Sequence, residues 1–274
     1  MNVKLKIGIV GCGAIGSSLS KIIIHDFSRK AKVVALYDKV AGKSEELAES
    51  ILNNKLLAVG SLENLIHKSE LVIEAASADS SWDIAKKTLS SGRDIMIMSV
   101  GGIVSHVGQL AKLGDYYRAK VYIPSGAISG IDALKAATLG KIKSVILTTR
   151  KNPLSFGGVK YVQIKKLNLG KIKKDTILFS GTAQQAMRFF PQNINVAGIL
   201  SIAGIGQVRT RVKIIASPKV NRNIHEIEIQ SNAGKIFTRT ENVLHPDNPK
   251  TSYLAVLAAV ATLKQILEPV KIGT

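Results

Sequence analysis

The chain has 274 residues, 46% of them hydrophobic, a single cysteine and a formal net charge of +19. That length suffices for two domains with sizeable cores, and one cysteine excludes an internal disulfide framework or a cysteine-based zinc site. The longest apolar stretches, Ile194–Val208 and Leu254–Leu263, are interrupted or too short for the roughly 20 apolar residues of a membrane helix.

In chain order, Val3–Val10 reads as a short apolar strand running into Gly11-Cys12-Gly13-Ala14-Ile15-Gly16, with a helix-like stretch from Ser17 to Ile24. Lys4 and Lys6 ahead of an apolar run imitate a secretory leader, but Gly8, Gly11, Gly13 and Gly16 break it and no cleavage site follows. A cytoplasmic protein is the expectation. The glycine pattern is the turn of a dinucleotide-binding βα unit. Gly11 permits the tight turn, Gly13 has no side chain to block a pyrophosphate, and Gly16 lets the helix approach the strand. The helix start offers N–H groups and a positive dipole end to phosphate. A second strand, Val33–Tyr37, ends on Asp38, about 20 residues past the last glycine, where an acid accepts from the adenosine ribose. A glycine pattern alone is weak, but here strand, helix and acid-tipped second strand occur in order. Ala14, Ile15, Gly16 and Asp38 join Gly11 and Gly13 as candidate cofactor-binding positions.

Beyond Asp38 the alternation continues. Ala41–Leu52 is an amphipathic helix, Ala58-Val59 is weakly strand-like, and a short helix begins at Ser61. Leu71–Ala75 is a buried strand ending in Ala76-Ser77, followed by a helix to about Leu89. Asp94–Met98 is a strand, a helix spans about Val104–Gly114, and Lys120–Ile123 is a last strand. Such alternation implies a Rossmann-type, doubly wound parallel sheet, with ligands beyond the carboxyl ends of its strands. Residues 1–124 are therefore predicted as a dinucleotide-binding domain.

Past Pro124 the pattern changes to an α+β domain, 125–250, with a mainly antiparallel sheet: β-rich from Ser144 to about Leu167 and from Val208 to Thr240, with helices at Thr182–Phe190 and Val196–Ile205. The helix 251–267 is expected to pack back on the first domain. Between Lys141 and Lys174 there are ten Lys or Arg residues and no acidic one. Such a run attracts nucleic acid, but no recognised nucleic-acid-binding motif accompanies it. The lysines read as a solvated sheet face that also steers anionic substrates.

Six segments, Glu74-Ala75-Ala76-Ser77, Val100-Gly101-Gly102, Pro124-Ser125-Gly126-Ala127, Asn193–Ala197, Asn223-Ile224-His225-Glu226 and Asn248–Ser252, lie in order along almost the whole chain. Together they resemble the L-aspartate dehydrogenase family. One departure is Ser129-Gly130, where the family more often carries two glycines. The resemblance implies a Rossmann domain followed by a catalytic α+β domain in a homodimer. It implies oxidation of L-aspartate to iminoaspartate with NAD or NADP, hydrolysis to oxaloacetate and ammonia, and a link to pyridine nucleotide synthesis. The strand-end rule puts Ala76 and Ser77 on the same cofactor rim as the glycine turn, while the resemblance places Ala127 and Asn195 at the cofactor and makes His225 catalytic.

That chemistry wants a group exchanging protons near neutrality, and an unperturbed histidine with pKa about 6.5 suits it. Alternation in Ile224–Ile229 puts His225 on the face of Ile227 and Ile229, opposite Glu226 and Glu228. A histidine there is more often a satisfied core residue, and the resemblance overturns that prior. His245, in a Pro/Asn/Asp-rich segment, is the rival. His25, His67 and His106 read as peripheral. Asn195 reads either as a helix-start cap or as a nicotinamide contact. Lys250 and the Arg150-Lys151 pair could receive the substrate carboxylates, although each taken singly reads more readily as a surface charge. Asp38 predicts a preference for NAD over NADP, softened by Lys39. No His/Cys/Asp/Glu cluster has metal-ligand spacing, so no metal is expected. The alternatives are a related two-domain reductase of dihydrodipicolinate or semialdehyde type, or a dinucleotide-sensing, nucleic-acid-binding protein.

Overall fold

In the computed structural model, residues 3–190, 194–246 and 248–273 are described. The chain divides into two units, Met1–Pro124 with Val256–Lys271, and Ser125–Ala255 with Ile272–Thr274.

The first unit alternates strands with helices: β1 (Leu5–Val10), α1 (Ala14–Asp26), β2 (Ala31–Tyr37), α2 (Lys43–Leu52), α3 (Leu62–Lys68), β3 (Leu71–Glu74), α4 (Ala78–Ser90), β4 (Asp94–Ile97), α5 (Val107–Tyr117) and β5 (Val121–Tyr122). The strands form one sheet in the order β2-β1-β3-β4-β5, every neighbouring pair parallel. This is the Rossmann-type arrangement the alternation predicts. The weak strand at Ala58 survives as a single parallel bridge to Leu36, outside β2. The strand order of a dinucleotide fold is thus kept with its third strand reduced to one residue pair. Strands buried on both faces read as continuous apolar runs, and Ile7, Ile9, Leu71, Ile73 and Met96 are fully buried. Leu19 and Ile23 of α1 pack on them, as do Val256, Ala259 and Leu263 from the C-terminal helix. The order reverses between β1 and β3, so the loops leaving those two strands flank the switch point where such sheets take their ligands. His67 is in the last turn of α3, not in a loop, and His25 in the last turn of α1.

The second unit contains α6 (Ile131–Thr138), β6 (Ile142–Lys151), α7 (Lys160–Ile164), β7 (Thr176–Thr182), α8 (Ala183–Phe189), α9 (Ile194–Ala203), β8 (Arg211–Ala216), β9 (Asn223–Ser231), β10 (Gly234–Asn242), β11 (Leu244–His245) and β12 (Asn248–Ser252). The helix α10 (Tyr253–Leu267) follows and runs into the first unit. The sheet order is β10-β9-β6-β8-β7; β6 and β8 are parallel and the other pairs antiparallel. The expected β-rich stretch beyond residue 151 is absent. Pro153 has no N–H for a ladder, and the Asn152 side chain accepts from Leu154 N at 3.1 Å to start a 3-10 turn. Phe156 and Phe190 then pack edge to face, 6.4 Å apart. No helix among the described residues is long and apolar enough to cross a membrane.

Candidate active site

In the first unit, a cavity of about 470 Å³ opens at the switch point, lined by Gly11, Gly13, Asp38, Lys39, Ala76 and Ser77 among others. Gly11 has φ +93°, and a Cβ there would overlap the Ala75 backbone. A Cβ at Gly16 would overlap the Gly11 carbonyl, whereas one at Gly13 would meet nothing within 4 Å. The two outer glycines close the turn and the middle one faces open space. Gly13 also caps α1 without any side-chain hydrogen bond, and the first turn carries no acid. The helix start is therefore a phosphate-sized donor site of backbone N–H groups, and the lining residues fit a dinucleotide. Ile15 packs on the core, so its contribution to that site is its backbone.

Asp38 closes the second strand as the sequence reading places it. Its carboxylate accepts from Cys12 N at 2.8 Å and Val40 N at 2.9 Å. Two backbone donors thus fix the carboxylate, joining the tip of β2 to the glycine turn. Burial and the Asp38 charge push the Cys12 thiol up to about 12, so it stays protonated and unreactive. Ser77 starts α4, its hydroxyl 3.1 Å from that of Ser80.

One residue of this rim was given no role by the sequence reading. Glu74 is completely buried, and its carboxylate accepts from Ala76 N and Ser99 N, each at 2.9 Å. It ties the loop after β3 to the loop after β4. Burial raises its pKa, while these donors pull the other way. An acid ending the otherwise apolar run Leu71–Glu74 was the available signal.

In the second unit, His225 is the third residue of β9, with 3% exposure. His225 lies opposite Thr149 on β6 and Thr240 on β10. Its Nδ1 is 3.0 Å from the Thr149 hydroxyl. As the alternation predicts, Ile227 and Ile229 share its buried face, while Glu226 and Glu228 are less buried on the other. Arg150 and Lys151 are adjacent in sequence and diverge in space. Arg150 bonds Asp175 at 2.7 Å and Glu226 at 3.2 Å. Lys151 is buried at 8% exposure, so it does not belong to a solvated lysine face. Burial lowers its pKa to about 8.

The His225 pKa is not near its ordinary value. Burial first, then the Lys151 charge, pushes it down to about 3. The imidazole is neutral across physiological pH, with its orientation set by Thr149.

The Ala127 carbonyl accepts from Asn242 Nδ2 at 3.0 Å and Thr240 Oγ1 at 3.4 Å, which seats the 125–130 loop against β10. Asn242 Oδ1 is buried without a hydrogen-bond partner among the described residues. Asn195 is exposed, in the first turn of α9, near the helix start where the sequence reading puts it. Asn193 lies outside the described residues, as does the Lys250 side chain. His245 is as buried as His225, in β11, with its ring 5.7 Å from that of Tyr253. His106, in the first unit, stacks on Trp82 at 4.2 Å.

A family model described as "Aspartate dehydrogenase, C-terminal" matches residues 132–266, and one described as "Homoserine dehydrogenase, NAD binding domain" matches residues 11–124. An L-aspartate dehydrogenase from Methanosarcina barkeri is 43% identical over 98% of this chain and 100% of its own. One from Methanosarcina acetivorans is 46% identical with the same coverage. Among solved structures, the aspartate dehydrogenase of Thermotoga maritima matches with a TM-score of 0.76 at 23% identity, covering 99% of this chain and 100% of that one. A hyperthermophilic archaeal homoserine dehydrogenase solved with NADPH matches with a TM-score of 0.59 at 14% identity, covering 97% and 98%. These two likenesses concern the fold. With curated relatives this similar over essentially its whole length, the chain belongs to the L-aspartate dehydrogenase family.

Proposed function

We propose that the protein oxidises L-aspartate to iminoaspartate with a nicotinamide dinucleotide as hydride acceptor, and that water then converts the imine to oxaloacetate and ammonia. The observation that carries this reading is the similarity of the whole chain to curated L-aspartate dehydrogenases. The residues supply compatible chemistry. Backbone N–H groups at the start of α1 hold the pyrophosphate, and Asp38 accepts from the ribose hydroxyls with the lone pairs that Cys12 and Val40 leave free. Glu74 holds the loop containing Ala76 and Ser77 in place. The resemblance also assigns cofactor contacts to Ala127 and to Asn195. A nicotinamide held by these residues would supply the hydride acceptor for the substrate Cα–H.

His225 exchanges the protons. In its base form Nδ1–H donates to the Thr149 hydroxyl, and Nε2 keeps the lone pair that takes a proton from the substrate amine. Once it has released that proton to solvent, the same nitrogen takes a proton from the water that adds to the imine carbon and returns it to the nitrogen that leaves as ammonia. A base whose proton affinity is low in the empty protein works here because the substrate brings negative carboxylates, which raise that affinity on binding.

Asp38 favours NAD, because its charge repels the extra phosphate of NADP. By family, the working form is a cytoplasmic homodimer, and its imine product feeds pyridine nucleotide synthesis. A second reading, a homoserine or semialdehyde dehydrogenase, draws on the model matching residues 11–124. One experiment separates them: reduced-cofactor absorbance with L-aspartate against L-homoserine, L-glutamate, L-alanine and D-aspartate. Preference for L-aspartate is expected, and equal or absent rates across the panel refute the proposal.

A further inference from the structure

We propose that Lys151 is the residue that receives a carboxylate of the substrate, directly beside His225. The proposal takes the identity of that substrate from the function proposed above, while the binding of a carboxylate is testable without it.

The sheet register places Lys151. Thr149 pairs with His225 across β6 and β9. Lys151 is two residues further along β6, so it lies on the same face as Thr149 and diagonal to His225. Diagonal neighbours across an antiparallel pair are about 7–8 Å apart, within reach of a long side chain. The Lys151 charge is in fact felt at the imidazole. Its backbone is fixed, since its carbonyl accepts from Ser217 N at 2.8 Å and it pairs with Ala216 of β8.

The surroundings show what Lys151 lacks. Arg150, on the opposite face, is committed to Asp175 and Glu226, and Glu226 is shared with Arg239. Among the described residues Lys151 forms no ion pair with any carboxylate, although it is 8% exposed. The stretch from Lys141 to Lys174 contains no acid to serve it locally. Burying an ammonium without a partner is costly, and proteins keep such groups where a ligand supplies the missing charge. The missing partner must be an anion small enough to lie against a neutral histidine that exchanges protons. A carboxylate of an amino-acid substrate has that size and charge, and it delivers the amine to Nε2 of His225. Sequence alone treats Arg150 and Lys151 as a pair; the strand separates them and leaves one cation for the substrate.

The test uses the full protein with Lys151→Met and Lys151→Arg, and succinate as a non-reacting dicarboxylate probe in calorimetry. Losing a hydrogen-bonded charge contact should raise KM for L-aspartate and the Kd for succinate by about 10- to 100-fold in Lys151→Met. kcat should fall less than KM rises, NAD affinity should hold, and Lys151→Arg should recover part of the loss. A merely structural role predicts a less heat-stable Lys151→Met. The proposal predicts a ligand-free variant at least as stable as the parent, because an unpaired buried charge has gone, and no stabilisation by succinate. In the unmodified protein, succinate should slow acylation of Lys151 by acetic anhydride, read by peptide mass, which covers a variant that fails to fold. Unchanged KM and succinate affinity in Lys151→Met, or labelling of Lys151 indifferent to succinate, overturns the proposal. If the parent protein ignores L-aspartate yet binds succinate through Lys151, the function proposed above fails and this assignment stands.

Discussion

At the rim of the first sheet the protein offers a ligand mostly backbone: the turn Gly11–Gly16, the bare start of α1, and loops held by Asp38 and Glu74. On the buried face of the second sheet the proposed site is made of side chains: Thr149, His225 and Lys151, from two strands far apart in sequence. The first kind of site is tolerant of chemistry and strict about space, because overlap with a carbonyl is what forbids a Cβ. The second is tolerant of local sequence and strict about charge, because a group buried at 3% or 8% exposure has little water to screen it. Changes at the two should therefore fail differently, one in cofactor affinity and the other in substrate affinity or turnover.

The sharpest break is His225→Ala. Losing a positioned acid–base group costs about 10²- to 10⁴-fold in turnover. The direct affinity for NAD should survive, since the glycine turn and Asp38 lie in the other unit. Turnover by stopped-flow beside NAD titration reads both. A variant that loses NAD affinity instead would place His225 at the cofactor and dissolve the contrast.

Stability against pH gives the next largest effect. The folded His225 has its pKa lowered from 6.5 to about 3. The unfolded chain therefore binds a proton at a higher pH than the folded one. Its contribution is fully present above about 6.5 and is lost as pH falls toward 3, at up to about 1.4 kcal/mol per pH unit. Chemical denaturation of the parent and His225→Leu across that window should show the steeper loss in the parent. Parallel curves would mean that the imidazole is not desolvated. Lys151 adds no slope there, because its own shift lies between about 8 and 10.5.

A smaller effect tests the backbone-built site. Asp38→Ala removes a charged acceptor, and hydrogen bonds to charged groups contribute about 1.5–3 kcal/mol. The ratio of NAD to NADP efficiency should fall about tenfold or more. The Cys12 and Val40 N–H groups also lose their acceptor, so both cofactors should bind less well while the ratio falls. An unchanged ratio would show that Asp38 only braces the turn.

How far each site could be read from sequence follows the same contrast. The glycine turn, Asp38 and the parallel sheet are local patterns: contiguous residues whose spacing states the geometry. The face of His225 was equally legible from alternation within β9. Its partners were not, because Thr149 is 76 residues away and reaches it only through strand pairing. The lowered pKa depends on that burial and on Lys151, so the expectation of an ordinary histidine failed. The exposure of Asn195 was not legible, because it stands in an apolar stretch and only the helix geometry leaves that position outside. The β-rich reading beyond Lys151 failed at Asn152-Pro153, where cap chemistry ended the strand.

The smallest effect on catalysis belongs to His245, and it is the finest test of what makes a buried histidine functional. Both histidines are 3% exposed, and both lie in strands of the same unit. Burial therefore does not distinguish them; their neighbours do. His225 has the Thr149 hydroxyl on one ring nitrogen and the Lys151 charge nearby. The His245 ring meets the edge of Tyr253, at the foot of α10, in a two-stranded ribbon. Aromatic pairs of this geometry contribute about 0.5–1.5 kcal/mol beyond their buried area. His245→Ala should accordingly lower the melting temperature while turnover per folded molecule stays within about tenfold of the parent, below the range for a lost acid–base group. His245→Phe, which keeps the ring contact and cannot exchange protons, should recover the part of that stability owed to the ring, at unchanged turnover. If His245→Phe is stable and inactive, the proton-transferring histidine is His245, and the pairing of Thr149 with His225 serves the core alone.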